Sequence, residues 1–287
     1  MKIAILSNPQ KGRVVEVVKK ILQKFLKKKG VQFFLDKHLS QALRCKELYR
    51  TDEMIQKSAD LLVVLGGDGT LLHAVKRIKK PDLPILGVNL GGIGFLTDFT
   101  PDDFLKAFPE ILKKNFELDP RLMLQVTYFR RQKSLGVYEV LNDVVMTKGA
   151  LSRMLTLQVF INGNDLTTYK SDGLIVATPT GSTAHSLSSG GPIVAPNCDV
   201  MILTPICPHT LSNRPLVLSC HQKIRIELVS SSEMVGLTFD GQLGVEFKEG
   251  DAILIERSQR TIPLVRYRSH YFEILREKLG WRGTMGS

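Results

Sequence analysis

Two glycine-rich stretches and one long run of small polar residues carry the chemistry available to this chain. The first is Gly66-Gly67-Asp68-Gly69-Thr70. Glycines there let the backbone turn tightly and approach a ligand with no Cβ in the way. A helix starting just beyond would present free N–H groups that favour phosphate. The Gly-Lys-Ser/Thr ending of a Walker loop is missing, and the spacing does not fit Gly-x-Gly-x-x-Gly. Asp68 is the informative member, because a carboxylate at the tip of an anion-friendly turn repels phosphate on its own. Three roles make sense of it: holding a metal, orienting a hydroxyl, or taking a proton from one. The plain alternative is that it caps the next helix.

The second stretch is Asn89-Leu90-Gly91-Gly92-Ile93-Gly94-Phe95-Leu96-Thr97. Read alone it is a tight turn. Placed after a neighbouring parallel strand, it would share a crevice with the first, since loops at the carboxyl ends of such strands converge. The third is Lys170-Ser171-Asp172-Gly173 followed by Thr178-Pro179-Thr180-Gly181-Ser182-Thr183-Ala184-His185-Ser186-Leu187-Ser188-Ser189-Gly190-Gly191-Pro192. Its position between apolar segments predicts an ordered loop rather than a linker. Its hydroxyls and N–H groups offer donors to a polar ligand, Asp172 offers an acceptor, and Lys170 a charge for phosphate. His185 lies close to Ser182 and Ser186, as in a hydrolase. No Gly-x-Ser-x-Gly elbow accompanies them, and a Ser–His pair this close in sequence is usually incidental.

The elements that must position these residues change period halfway along the chain. Ile3–Leu6 predicts a short buried strand ended by Asn8-Pro9. Val14, Val17, Val18, Ile21, Leu22 and Phe25 recur at helical spacing, with Gly30 as a stop. Val31–Leu35 is strand-like, and Leu61–Leu65 is the continuous branched run of a central parallel strand. A helix over Thr70–Ile78 and a strand over Ile85–Val88 complete the alternation of an open α/β sheet. After Arg121 the period is two, as in Leu122, Leu124, Val126 and Tyr128, in Leu155, Leu157, Val159 and Ile161, and again in Ile224, Ile226 and Leu228. Asn162-Gly163 reads as a hairpin turn. Tyr271–Leu279 predicts a closing helix with Phe272, Leu275 and Leu279 on its apolar side and Gly280 at its end. The tail from Arg282 to Ser287 is expected to fray.

Composition sets the outer limits. The chain has 287 residues, 43% hydrophobic and 23% charged, enough to fill a core and to suit two domains. No stretch approaches the roughly 18 apolar residues of a membrane span, and the first apolar run is too short for a secretory signal. A net charge of +11 favours anionic partners. Its clusters at Lys24, Lys27, Lys28 and Lys29, and at Lys76, Arg77, Lys79 and Lys80, read as solvated helix ends. No aromatics interleave with them, so nucleic acid is not expected; nor is a membrane. Cys45, Cys198, Cys207 and Cys220 form no Cys-x-x-Cys pair and read as free, mostly buried thiols of a soluble cytoplasmic protein.

Taken together, these motifs resemble the NAD kinase family. Gly66-Gly67-Asp68-Gly69-Thr70 is similar to its first motif, Asn142-Asp143 to its paired Asn-acid motif, and Asp172-Gly173 through Pro192 to its long signature loop. Pro208-His209-Thr210-Leu211-Ser212-Asn213-Arg214-Pro215 and Asp240-Gly241-Gln242 are also similar, and the likeness runs from Ile3 to the closing helix. Gly-Gly-Asp-Gly alone is shared with diacylglycerol kinases, sphingosine kinases and phosphofructokinases. The resemblance implies transfer of the terminal phosphoryl of ATP, or of polyphosphate, to the adenosine-ribose 2′-hydroxyl of NAD, giving NADP. It implies a divalent metal, magnesium or manganese, without naming its ligands. Asp68 would accept the proton of that hydroxyl. Gly66, Gly67, Gly69 and Thr70 would form the phosphate loop.

Residue by residue, the NAD pocket implied is Asp68, Gly69, His73, Asn142, Asp143, Arg153, Lys170, Asp172, Thr183, Ala184, His185, Ser186, Leu187, Ser188 and Gln242. Asp143 would accept from sugar hydroxyls, and Arg153 would suit a phosphate or a neighbouring subunit. Solvation at the surface is the plain alternative for Arg153 and Lys170. The position after Ala184 is commonly tyrosine in the family and here is His185, a smaller ring to set against adenine. The implied fold is an α/β nucleotide-binding domain over residues 1–120 with an open, mostly parallel sheet, then a β-rich sandwich-like NAD-binding domain over 121–265. The C-terminal helix, within 266–287, returns to the first domain. A homodimer or homotetramer is expected, with the β-rich domain at the contact. Two other readings compete. A lipid kinase would need an exposed amphipathic helix, and a non-catalytic NAD-binding sensor would be expected to lose Asp68.

Overall fold

In the computed structural model, residues 1–7, 13–92, 94–149, 154–210, 212–231, 234–266 and 271–281 are described. The expectations for Asn8-Pro9, Arg153 and the tail from Arg282, and single members of two motifs, Ile93 and Leu211, lie outside them. The chain divides into one unit of Met1–Pro120 with Ile262–Ser287 and a second of Arg121–Thr261.

In the first unit, apolar strands alternate with amphipathic helices. The order is β1 (Lys2–Ser7), α1 (Val14–Phe25), β2 (Gln32–Leu35), α2 (Lys37–Leu43), α3 (Asp52–Ser58), β3 (Leu61–Leu65), α4 (Asp68–Arg77), β4 (Ile85–Val88) and α5 (Pro101–Leu112). The strands lie in the order β2-β1-β3-β4, all parallel. All five residues of β3 are buried, as a strand covered on both faces requires. Val14, Val18, Ile21, Leu22 and Phe25 bury one stripe of α1. They join Phe104 and Phe108 of α5 in a core on the sheet.

In the second unit the alternation of period two produces antiparallel strands. They are β5 (Glu117–Arg130, which starts in the first unit), β6 (Lys133–Val140), β7 (Asp143–Lys148), β8 (Leu155–Ile161), β9 (Asn164–Ser171) and β10 (Gly173–Ala177). A helical turn over Thr180–Thr183 and the one-turn α6 (His185–Ser188) follow. Then come β11 (Val200–Ile206), β12 (Leu216–Ser219), β13 (Ile224–Ser230), β14 (Val235–Phe239), β15 (Leu243–Phe247) and β16 (Asp251–Arg266). One layer is the antiparallel sheet β12-β11-β10-β7-β14-β15. The other holds β16-β13-β8-β9 and the β5–β6 hairpin. Alternate residues of both layers, such as Val144, Met146, Leu157, Val159, Ile226 and Leu237, share one core. Asn162 and Gly163 both take positive φ, the pattern of a type I′ turn. The end of β16 belongs to the first unit, where Leu264 pairs with Ile85 in parallel, and α7 (Tyr271–Leu279) follows it.

Three expectations change. Helix α4 begins at Asp68 rather than Thr70, because Gly67 already serves as its N-cap. In α7 the buried residues are Ile274 and Leu275, while Phe272 is 61% exposed, so the apolar side is turned from the one the spacing gave. The free cysteines are not mostly buried. Only Cys220 is; Cys198 and Cys207 are exposed because they lie just outside the two ends of β11. No described helix is long and apolar enough to cross a membrane.

Candidate active site

Strands β3 and β4 run side by side with Leu65 opposite Val88, so the two glycine loops leave from the same end of the sheet. Asp68 sits in the first turn of α4 and does not cap it. Its carboxylate crosses instead to the second loop. Oδ2 accepts from Phe95 N at 2.9 Å. Oδ1 accepts from Leu96 N and Thr97 N at 3.1 Å and from the Thr97 hydroxyl at 2.9 Å. Thr97 Oγ1 in turn accepts from Asn89 Nδ2 at 2.8 Å. This approach is possible only because residue 94 is glycine, where a Cβ would fall 2.1 Å from Asp68 Oδ1. At Gly67 and Gly69 a Cβ would meet nothing within 4 Å, so packing does not demand glycine there and the space beside the helix start is open.

Arg266, at the end of β16, fixes the same loop from behind. It holds Asp98 at 2.8 Å and Asp119 at 3.1 Å, and donates to Phe95 O at 3.3 Å. His73 lies exposed on α4, and Thr70 closes the first turn by donating from N to Gly67 O at 2.9 Å.

In the second unit, antiparallel register brings three chain segments to one end of the six-stranded sheet. The start of β7 faces the end of β10, with Asp143 opposite Ala177, and also the end of β14, with Val144 opposite Phe239. Asn142, Asp143, the Thr180–Ser188 helical turns and Asp240-Gly241-Gln242 therefore gather there. Asn142 O accepts from Thr178 N at 2.8 Å. Gly181 packs so closely on Asn142 that a Cβ would lie 2.1 Å from its carbonyl oxygen.

Asp143 is buried, its side chain 1% exposed, and Oδ1 is 3.3 Å from Nδ1 of His185. Its Oδ2 is buried with no hydrogen-bond partner. The His185 ring is 59% exposed. The hydrogen bond to Asp143 raises its pKa above the usual histidine value, against a smaller opposing effect of burial. Asp240 accepts from three successive backbone N–H groups, those of Leu141, Asn142 and Asp143, at 3.0, 2.7 and 3.2 Å. Burial pushes its pKa up to about 6 even so.

The polar run is less free than its composition promised. Ser186 is buried with its hydroxyl on Thr204, and Thr183 donates back to Thr180 O. Ser182 binds Pro179 O and Val194 O, so neither Ser182 nor Ser186 engages His185. The hydroxyls build the turns, because short helical turns leave backbone carbonyls that need donors. His185 and Ser188 are exposed, and Ala184 and Leu187 partly so. Gln242 is exposed on its turn. Lys170 is exposed on β9, and Asp172 pairs with Lys148 at 3.3 Å.

Asn89, Thr97 and Arg266 around Asp68, and Asp240 beside Asp143, were not singled out from the sequence. Asn89, Thr97 and Asp240 do sit inside the quoted motifs, which is the available signal. Among the described residues, only Asp199, Cys220 and His221 bring three metal-ligating atoms within 4.8 Å of one another. Arg257 already supplies a cation there, 3.2 Å from Asp199 and 3.3 Å from Cys220 Sγ. Among the described residues, no such group surrounds Asp68.

Models of two families match the chain: the ATP-NAD kinase N-terminal domain over residues 3–116 and the ATP-NAD kinase C-terminal domain over residues 141–267. A curated NAD kinase of Geotalea daltonii is 45% identical over 281 residues, covering 98% of each chain. Among solved structures, yeast NADH kinase complexed with NADH is 28% identical with a TM-score of 0.91, covering 100% of this chain and 89% of that one. An NAD kinase from Archaeoglobus fulgidus in complex with ATP is 26% identical with a TM-score of 0.74, covering 99% and 100%.

Proposed function

Because the chain belongs to the NAD kinase family, and so transfers the terminal phosphoryl of ATP to the 2′-hydroxyl of NAD, we propose that Asp68 takes the proton of that hydroxyl and that Asp143 holds NAD by its sugar. The observation that carries this reading is Asp143 Oδ2, buried without a partner. Leaving such an oxygen unpaired costs about 1–3 kcal/mol, and a ribose hydroxyl is the donor it lacks. His185 offers its exposed ring to the adenine, beside Asn142, Ala184 and Ser188. Lys170, Asp172, Thr183, Ser186, Leu187 and Gln242 complete the NAD pocket, with Ser186 contributing backbone rather than its occupied hydroxyl. Arg153 belongs to the same assignment.

Asp68 Oδ1 has three donors and Oδ2 only one. A carboxylate oxygen accepts about two hydrogen bonds, so Oδ2 is the one with a place for a substrate hydroxyl. A carboxylate so firmly held acts mainly by orientation, which suits phosphoryl transfer, where positioning and charge neutralisation supply most of the rate. Gly66, Gly67, Gly69 and Thr70 form the loop that receives the ATP phosphates in the open space at Gly67 and Gly69, with Gly66 N and Thr70 N spent on Val88 O and Gly67 O in shaping it, and His73 stands exposed on the same helix.

A divalent ion fits this donor set only as one carried on the ATP phosphates, with Asp68 adding at most one further oxygen. Magnesium is commonly bound by one or two carboxylates plus substrate phosphates. When bound, such an ion would supply neutralisation of the charge on the transferring phosphoryl. Free cysteines without a disulfide favour the cytoplasm, and family resemblance favours a homodimer or homotetramer.

Calorimetric titration of NAD tests the assignment. Asp143→Ala should weaken binding while Asp68→Asn leaves it nearly unchanged; unchanged affinity in Asp143→Ala removes the sugar-binding role. Parallel assays with NAD, NADH, diacylglycerol and fructose 6-phosphate as acceptors, and ATP or polyphosphate as donor, fix the substrate range. Light scattering that gave only an active monomer of 32.1 kDa would refute the assembly.

A further inference from the structure

The turn between β14 and β15 holds a non-glycine residue where the backbone favours glycine. Asp240 has φ +51° and Gly241 φ +63°, and Gln242 N donates to Phe239 O at 3.1 Å to close the turn. Two successive positive φ values fit a type I′ turn, for which Asn-Gly or Asp-Gly serves. Asp at the first position is conformationally tolerable, but it is a carboxylate folded into a partly buried corner at a cost in desolvation.

What this carboxylate does there is specific. It receives three consecutive backbone N–H groups, from Leu141 to Oδ2 and from Asn142 and Asp143 to Oδ1. Leu141 and Asn142 join β6 to β7, and Asp143 is the first residue of β7, where the chain turns into the six-stranded sheet. Asp240 N also donates to Asp143 O at 2.9 Å, so the two aspartates are tied in both directions. Asp143 then meets His185 at 3.3 Å. Gly241 lies against the same imidazole, where a Cβ would come within 3.3 Å of its Cε1. Turn, Asn-acid pair and histidine are one connected body inside the second unit.

We propose that Asp240 is a positioning residue for NAD: its carboxylate fixes the backbone of Asn142 and Asp143, and thereby aims the unpaired Asp143 oxygen at the sugar. This inference rests on the reading of Asp143 as a sugar ligand. Asp240 itself need not touch substrate. Its three acceptor contacts hold the backbone N–H groups of Leu141 and Asn142, which lie between β6 and β7, and of Asp143, where β7 begins.

Steady-state kinetics with NAD and ATP varied separately tests it. Asp240→Asn keeps an acceptor oxygen and tolerates the positive φ, yet sets an amide N–H₂ against one backbone donor; Asp240→Ala keeps no acceptor. A positioning role raises KM for NAD about 5–10-fold in the Asn variant and roughly 10–100-fold in the Ala variant, with KM for ATP unmoved. A merely structural role lowers the melting temperature and the amount of active enzyme without splitting the two KM values. If Asp240→Ala does not fold, the Asn variant alone decides through the same split.

Asp143→Ala is measured alongside. If it raises KM for NAD and Asp240→Asn does not, the positioning role is wrong and the sugar-binding role stands. If Asp143→Ala leaves KM for NAD unchanged, the sugar-binding role falls and this inference with it.

Discussion

Thr97 donates twice to the same oxygen of Asp68, from its backbone N at 3.1 Å and from its hydroxyl at 2.9 Å. The hydroxyl hydrogen is committed to Asp68 because Asn89 Nδ2 already donates to Thr97 Oγ1 at 2.8 Å. Asn89, Thr97 and Asp68 thus form a directed chain that fixes the carboxylate's rotation and leaves Oδ2 the freer oxygen.

Replacing Thr97 by Val keeps the shape and the backbone N–H but removes that direction. The variant should lose about 1–3 kcal/mol of stability, since a buried Asn89 donor is left without its acceptor. Its kcat should fall about 10-fold as Asp68 gains freedom to rotate, on the scale of one lost orienting hydrogen bond. Denaturant melts and initial rates check both. Full kcat in a destabilised protein would mean that the four donors build the loop and nothing more.

Asp68→Asn asks the sharper question. It should lower kcat by roughly 10²–10⁴-fold, the usual effect of losing a positioned acid–base group, with the NAD dissociation constant nearly unchanged. An amide nitrogen would also face one of the N–H donors of Phe95, Leu96 and Thr97, so a melting curve belongs beside the kinetics. Turnover near the parent's would end the proton-acceptor role.

The strand–helix alternation up to Val88 is plain in the sequence because buried parallel strands read as unbroken branched runs, as Leu61–Leu65 does. The switch to period two after Arg121 is equally plain, since each strand of a sandwich buries one face. Reach across the fold is not legible in this way. Asp68 finds its donors 27 to 29 residues later, and Asp240 finds its own 97 to 99 residues earlier. Both depend on strand register, which local spacing does not encode. The same holds for Ser182, Thr183 and Ser186, whose hydroxyls look available to a ligand in sequence and are spent on neighbouring carbonyls and Thr204. Phe272 misleads for a simpler reason: helical spacing defines a stripe, and not which edge of it meets the core.

Asp240 should also leave a mark on stability. Burial raises its pKa to about 6, whereas an unfolded aspartate titrates near 3.9. Between those values the native chain holds a proton that the unfolded chain has released, so stability falls as pH climbs from about 4 to about 6. Asp240→Asn has no such proton. The melting temperature of the parent minus that of the variant should therefore drop across this window and level off above it. A difference that stays flat from pH 4 to 7 would show that the carboxylate is not held as described.

His185 gives the remaining prediction, and its geometry alters what the sequence suggested. The ring is exposed on one side and tied on the other: Nδ1 donates to Asp143, and that bond raises its pKa above the usual value near 6.5. Folding thus favours the proton, and this contribution is complete below about pH 6.5 and fades as pH rises through the raised value. With adenine against the exposed ring, the protonated form adds a cation facing a π surface and a positive charge for the NAD phosphates. NAD affinity should accordingly decline as pH rises from about 6.5, a window displaced upward from that of free histidine. His185→Tyr, which brings a larger uncharged ring, should bind at least as tightly and flatten the pH dependence. His185→Ala should lose about 1–3 kcal/mol of binding, the usual range for a base stacked on an aromatic side chain. Calorimetric titrations of the three proteins between pH 6 and 8.5 read all of these effects, and NAD binding in His185→Ala as tight as the parent's would rule out the stack.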